Sequence, residues 1–413
     1  MTERLYYHDS FLYEFDARVL ADVPSPDRPA LILDRTAFYP TSGGQVFDTG
    51  WLVAEDRKLR VVEVAEREDG AILHYLEHRP AIEQGARIHG LIDGERRHDH
   101  MQQHSGQHVL SAAFVRLFNM PTVSFHMGAE YCSIDLDTKS LSPQQVEAAE
   151  VLANDVVMEN RPVVVRFVTQ DEARDLGVRK LPPMERDQLR LIEISDFDLT
   201  ACGGTHVSGT GQIGCILLRK TERVKQGWRV EFVCGKRAVS TARDDYATLT
   251  ETAGLLSSHL RDVPQQIRKM QEESRAARKA REQLLEELAD AHATRLLTET
   301  PESGGRKVVI RSYPDRDVTF IKLLAQRLTR QSASVIALLS STASPPALVF
   351  AESAGQPFDM GALMREALAQ LGGRGGGSKE MAQGGPAKID GLDEFLAALA
   401  KRAGLNATES SQP

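Results

Sequence analysis

Two short stretches place soft and nitrogen donors at matched spacing. "HSGQH" puts His104 and His108 four residues apart, and "CGGTH" does the same with Cys202 and His206. On a helix, residues at i and i+4 lie on one face, so two imidazoles there can converge on one ion. Between Cys202 and His206 a Gly-Gly pair replaces the helix. Its freedom to adopt positive φ lets the chain fold back and bring both side chains to one point. A thiolate with imidazoles is a donor set that suits zinc. "HSGQH" lacks the glutamate of an HExxH motif, so no metalloprotease base is present. His100 and His126 are reserve candidates for acid–base or ligand roles, each more often an ordinary core or surface histidine.

The elements that must position these residues follow from patterning. Residues 1–92 contain short β-branched runs, among them "PALILDR", "RKLRVVEVAERED", "GAILHYLEH" and "ARIHGLID", separated by Gly, Pro and Asp. These predict a small β-barrel. From 99 the spacing turns helical, with Asp99 or Ser105 as the candidate cap. A second helix opens at Ser142 with Pro143 in its first position. Strands "PVVVRFV", "LRLIEI", "GCILLRKTERV" and "WRVEFVC" follow, giving an α+β domain over 93–245. Residues 246–300 read as one long polar connector helix, with a seam too broken to define a coiled coil. Residues 301–413 read as an α/β domain containing "GGRGGGSKEMAQGG", and the tail "NATESSQP" is expected to fray. The fold class is thus α+β multidomain.

Composition bounds the rest. The 413 residues carry a net charge of −8 and four cysteines. That charge gives no general attraction to nucleic acid, so any such contact needs local patches. Residues 219–237 form one, with seven Lys/Arg against two Glu. Four cysteines are no disulfide framework. Cys132, Cys215 and Cys234 lie in strand-like runs and read as ordinary apolar residues. No run of about 18 apolar residues exists and the N-terminus lacks an apolar signal core, so a cytoplasmic, non-membrane protein is expected.

Taken together, "HSGQH" and "CGGTH" resemble the paired zinc motif of the editing domain shared by alanyl- and threonyl-tRNA synthetases, the second additional domain type. "AFYPTSGGQVFDTG" (37–50), "TGQIGCILLRKTERVKQGWRVEFVCG" (210–235) and "GGRGGGSKEMAQGG" (372–385) are similar to motifs of the alanyl branch in the same order. The last also occurs in domains associated with DHH-type phosphoesterases. No aminoacylation domain, P-loop or DHH catalytic motif is found, so the resemblance is to free-standing alanyl-tRNA editing proteins of the long AlaX type.

That resemblance implies a deacylase acting on tRNA(Ala) mischarged with serine, and perhaps with glycine, while sparing Ala-tRNA(Ala). It implies one zinc per chain on His104, His108, Cys202 and His206, with Cys202 also a candidate substrate contact. Thr41, Gly43, Gly44 and Gln45 become candidate substrate-binding residues. Thr41 would read the serine hydroxyl and Gln45 would orient the ester or terminal adenosine. Arg374, Gly375, Gly376, Gly377 and Lys379 become candidate nucleic-acid contacts, for the tRNA elbow or beside a homodimer contact. The competing reading is a non-catalytic tRNA-binding or regulatory protein with a structural zinc.

Overall fold

The structure is a computed structural model, describing residues 2–23, 28–55, 57–78, 82–178 and 188–405. The tail "NATESSQP" lies outside the described residues. The chain forms two compact units, Met1–Thr252 and Ala253–Pro413, and its architecture is mixed α+β. No helix among the described residues is long and apolar enough to cross a membrane.

The first unit begins with a closed six-stranded barrel. Its strands are β1 (Glu14–Val23), β2 (Ala30–Leu33), β3 (Gly50–Ala54), β4 (Arg57–Glu66), β5 (Ile72–Leu76) and β6 (Arg87–Ile92), in the order β1-β2-β5-β4-β3-β6. Alternating residues such as Phe15, Val19, Leu52, Val61, Ile72 and Ile88 fill its interior.

Helix α1 (Gly94–Phe118) follows directly. Its cap is Asp93, which accepts from the Arg96 amide, and not Asp99 or Ser105. The period misplaced the start because α1 is buried with much polar surface: His100, Gln102, Gln103, His104, Ser105, Gln107 and His108 all lie inside. Buried polar groups need partners. Gln103 meets this by bracketing Cys234, accepting from its amide at 2.8 Å and donating to its carbonyl at 3.0 Å.

A buried ion pair joins helix to barrel. Arg97 and Asp48 are both fully buried; Arg97 also donates to the Ser10 and Ala37 carbonyls.

Around α1 lie β7 (Thr122–Met127), β8 (Cys132–Leu136) and α2 (Pro143–Met158), the last with the expected Ser142 cap. Next come β9 (Val163–Val168), α3 (Gln170–Asp175), β10 (Leu189–Ile194) and β11 (Asp198–Ala201). The hairpin β12 (Ile216–Val224) and β13 (Gly227–Cys234) leads into α4 (Gly235–Leu255). Two sheets result, β12-β13-β8-β7 and β9-β10-β11. Cys132 and Cys234 are core residues. The basic run at 219–237 is largely neutralised. Arg219, Lys220, Arg229, Lys236 and Arg237 pair with Asp245, Glu222, Asp135, Glu95 and Asp99.

The polar stretch expected as one helix is two, α4 and α5 (Val263–Glu299). Ser257 has φ 47°, and Pro264 sits in the first turn of α5, where a missing N–H costs nothing.

In the second unit, α5 buries Ala289, Ala293 and Leu296 against α6 (Val318–Gln331). The sheet contains β14 (Glu302–Ser303), β15 (Arg306–Tyr313), β16 (Val335–Ser341), β17 (Ala347–Glu352), β18 (Gly373–Gly377) and β19 (Met381–Pro386), ordered β14-β15-β16-β17-β19-β18. Helices α7 (Met360–Leu371) and α8 (Leu392–Arg402) complete the unit. "GGRGGGSKEMAQGG" forms the hairpin β18–β19. Its glycines make room: a Cβ on Gly375 would lie 2.4 Å from the Gly384 Cα and 2.8 Å from Leu368.

Candidate metal centre

The two donor pairs meet. His104, His108, Cys202 and His206 offer ligand atoms that all lie within 4.8 Å of one another. The histidines are buried, and Cys202 is the one partly exposed member. The Cys202 Sγ is 3.4 Å from both the His104 Nε2 and the His206 Nε2. The Gly204 amide also points at this sulfur, at 3.4 Å.

Each imidazole has something behind it. The His104 Nδ1 lies 2.8 Å from the Gln45 Oε1. The His206 Nδ1 lies 3.2 Å from the Ser105 Oγ. The His108 Nδ1 faces the Asp198 carboxylate at 3.7 Å. The first two contacts fix ring orientation and tautomer and so aim the opposite nitrogen inward, whereas the third is an approach of charge beyond hydrogen-bond range.

The four donors act on one another's protonation. Burial opposes a Cys202 thiolate, yet His104 and His206 hold its pKa well below the ordinary thiol value. Burial and the neighbouring His104 push His206 down to about 3. Burial pulls His108 down as well, but Asp198 and Cys202 outweigh it and raise its pKa. Neutral imidazoles and a thiolate are the ligating forms.

The turn at Cys202 works differently from its sequence reading. Neither Gly203 nor Gly204 has a positive φ. Gly204 is required for clearance, since a Cβ there would lie 2.1 Å from the His104 Cε1 and 2.8 Å from the Gln45 Oε1.

Positive φ matters instead at Gly43 and Gly44, 59° and 86°, in a tight turn closed by Ser42 and Gln45. Those values are what a mirror-image two-residue turn needs. The turn leaves Thr41 exposed and sends Gln45 fully inside. There the Gln45 Oε1 also accepts from the Thr205 amide at 3.1 Å, while its Nε2 donates to the Thr205 hydroxyl at 2.8 Å.

His100 is buried, its Nδ1 has no hydrogen-bond partner among the described residues, and burial beside Arg96 and Arg237 lowers its pKa to about 3. His126 is exposed on β7, across from Ser133. Arg374 and Lys379 are exposed on and beside β18 in the second unit. Sequence reading named the four donors and Gln45, but gave Asp198 no role and did not assign Ser105 and Thr205 their contacts, although both lie inside the two motifs.

Comparison with known proteins places this geometry. Residues 9–96 match the class II (A) tRNA synthetases, 189–231 the threonyl and alanyl tRNA synthetase second additional domain, and 305–404 the DHHA1 domain. The chain is 30% identical to the alanyl-tRNA editing protein AlaX-L of Pyrococcus horikoshii, over 93% of this chain and 94% of that protein. It is 32% identical to the alanine–tRNA ligase of Archaeoglobus fulgidus, over 96% of this chain but 43% of that ligase. Among solved structures, the C-Ala domain of Aquifex aeolicus alanyl-tRNA synthetase aligns with 25% of this chain and 96% of its own, at 20% identity and a TM-score of 0.24.

Proposed function

This chain belongs to the alanyl-tRNA editing protein family, and from that premise we propose that it hydrolyses the ester of tRNA(Ala) mischarged with serine or glycine while sparing Ala-tRNA(Ala). The observation that carries the proposal is the convergence of His104, His108, Cys202 and His206, tied by Gln45 to the turn that bears Thr41.

Selection has a physical basis. An alanine pocket discriminates poorly against an isostere with one added hydroxyl, and it cannot exclude glycine by size. A second site whose polar groups require the serine hydroxyl leaves those groups unpaired when alanine binds. Thr41, exposed at the mouth of its turn, is the proposed reader of that hydroxyl. Gly43, exposed and with open space where a side chain would be, lets substrate approach the turn backbone, while Gly44 packs against Phe125.

The donor set fits zinc, one per chain: one sulfur and three imidazoles, converging and buried, with acceptors behind their outer nitrogens. Bound there, the metal would act as a Lewis acid toward substrate or water. The protein's own contribution is to hold three imidazoles and a sulfur in register. Cys202, the partly exposed ligand, is where substrate can reach the cluster. Arg374 and Lys379, with Gly375, Gly376 and Gly377 between them, are the proposed tRNA contacts of the second unit.

The test supplies Ser-tRNA(Ala), Gly-tRNA(Ala) and Ala-tRNA(Ala) and follows deacylation. Loss of the seryl and glycyl esters with survival of the alanyl ester is expected. Equal persistence of all three, with metal retained, would instead support a non-catalytic tRNA-binding protein. Rapid loss of the alanyl ester would end the proofreading reading.

A further inference from the structure

Beside Cys202 lies a charged group that the donor cluster does not use. Arg190, on β10, is only 8% exposed. Its Nε donates to the Tyr7 carbonyl at 2.9 Å and its Nη1 to the Cys202 carbonyl at 2.6 Å. Its Nη2 is buried and has no hydrogen-bond partner among the described residues. Nor does any carboxylate among them pair with this guanidinium. Burial lowers its pKa, and the Cys202 sulfur is the largest influence opposing that. Burying a permanent cation without a counter-charge is costly, and an unmade bond on it is a group available to a ligand.

The adjoining surface is aromatic. The Arg190 guanidinium lies 5.6 Å from the Tyr7 ring centre. Arg4 donates to the Tyr7 hydroxyl at 3.0 Å. Across the β9–β10 ladder, Arg190 pairs with Phe167, which is 40% exposed. The exposed His8 ring lies 5.1 Å from Phe167 at an interplanar angle of 32°. A buried guanidinium with a free N–H, next to exposed flat rings, offers what a single-stranded nucleic-acid end needs. The charge takes a phosphodiester oxygen and the rings stack a base.

Resting on the reading that the substrate is an aminoacyl-tRNA, we propose that Arg190 holds a phosphodiester oxygen of the tRNA 3′ end while Phe167 and His8 stack one of its terminal bases. The subsite lies next to Cys202, so it would deliver the ester to the donor cluster.

The experiment measures binding by fluorescence anisotropy with two probes: uncharged tRNA(Ala) ending in CCA, and the same tRNA lacking its last two nucleotides. The unmodified protein should prefer the CCA-ended probe by about 10- to 100-fold. Arg190→Met and Phe167→Ala should each remove most of that preference. Metal content should stay at the unmodified level in Phe167→Ala, whose side chain is at the surface. If Arg190→Met does not fold, Arg190→Lys replaces it, since lysine keeps the charge but loses the fork. Wild-type preference in both the Arg190 and Phe167 variants would overturn the proposal. Survival of all three esters alongside an intact CCA preference would defeat hydrolysis and leave this subsite standing. Rapid seryl-ester loss with an unchanged KM in the Arg190 variant would do the reverse.

Discussion

The Gln45 Oε1 stands 2.8 Å from the His104 Nδ1 and 3.1 Å from the Thr205 amide, so one side-chain carbonyl touches both halves of the donor cluster. A backbone N–H can only donate, which fixes the amide with its oxygen on this side. The His104 Nδ1 must then carry the proton, and its Nε2 keeps a lone pair toward Cys202. Replacing Gln45 with Met removes the acceptor and frees the ring. Zinc affinity should fall about 10- to 100-fold in a chelator competition. Gln45→Glu keeps an acceptor and should retain most of the affinity. Unchanged affinity in the Met variant would show that the contact is dispensable.

The neighbouring glycines give a sharper steric test. A Cβ on Gly204 would sit 2.1 Å from the His104 Cε1, whereas one on Gly203 meets nothing closer than the Tyr7 hydroxyl at 3.5 Å. Gly204→Ala should therefore displace His104 and cut bound zinc well below one per chain. Gly203→Ala should bind zinc normally. Metal analysis of both proteins, with Cys202→Ala as the ligand-loss control, decides it. Equal metal content in the two glycine variants would contradict this geometry.

The donor cluster was legible in sequence because its chemistry is local. His104 and His108 share one helix face, and Cys202 and His206 share one turn. Asp198 was not legible behind His108, and Gln45 was read as a substrate residue and not as a partner of His104, because these contacts join distant parts of the chain. Gln45 reaches His104 across 59 positions and Thr205 across 160. The barrel strands declared themselves by short β-branched runs, but the start of α1 did not. Its first turns are polar and mostly only partly buried, so apolar period gives no signal there. At 372–385 the glycines could be read as a motif but not as a hairpin, because their small size serves close strand and helix packing.

The Arg97–Asp48 pair predicts a large, localised stability cost. Both side chains are fully buried. Asp48→Ala leaves a guanidinium unpaired inside, and should cost about 3–5 kcal/mol in urea unfolding. Combining it with Arg97→Met removes the stranded charge. Recovery should still be partial, because the Ser10 and Ala37 carbonyls lose their donors. A single variant within about 1 kcal/mol of the unmodified protein would mean that the pair does not anchor the helix to the barrel.

Thr41 separates specificity from metal binding. It is exposed, and its backbone is held to the Val64 carbonyl at 3.2 Å. Thr41→Val keeps the shape and removes the hydroxyl. If that hydroxyl reads serine, kcat/KM for Ser-tRNA(Ala) should drop about 10-fold or more, and Gly-tRNA(Ala) should be affected much less. Bound zinc should be unchanged. An equal drop for both substrates would assign Thr41 to the turn and not to recognition.

His74 gives the barrel a pH dependence of defined sign. It is completely buried, with its Nδ1 3.1 Å from the Leu31 carbonyl and its Nε2 2.7 Å from the Thr36 hydroxyl. A carbonyl only accepts, so the neutral ring donates from Nδ1 and accepts from Thr36 at Nε2. Burial lowers its pKa from 6.5 to about 4. Because the folded value is depressed, protons bind the unfolded chain first as pH falls. The stabilising contribution is complete above about 6.5 and is lost as pH drops through about 4. The full difference is roughly 3 kcal/mol, of which about 2 kcal/mol should disappear between pH 7 and pH 5. Other buried histidines contribute as well, so the measurement is a difference of differences. Urea unfolding at pH 7 and pH 5 is compared between the unmodified protein and His74→Gln, following Trp51 on β3 in a Trp228→Phe background. The variant should be less stable at pH 7, yet lose about 2 kcal/mol less on acidification. A parallel loss in both proteins would mean that this histidine is protonated, or solvated, in the folded barrel.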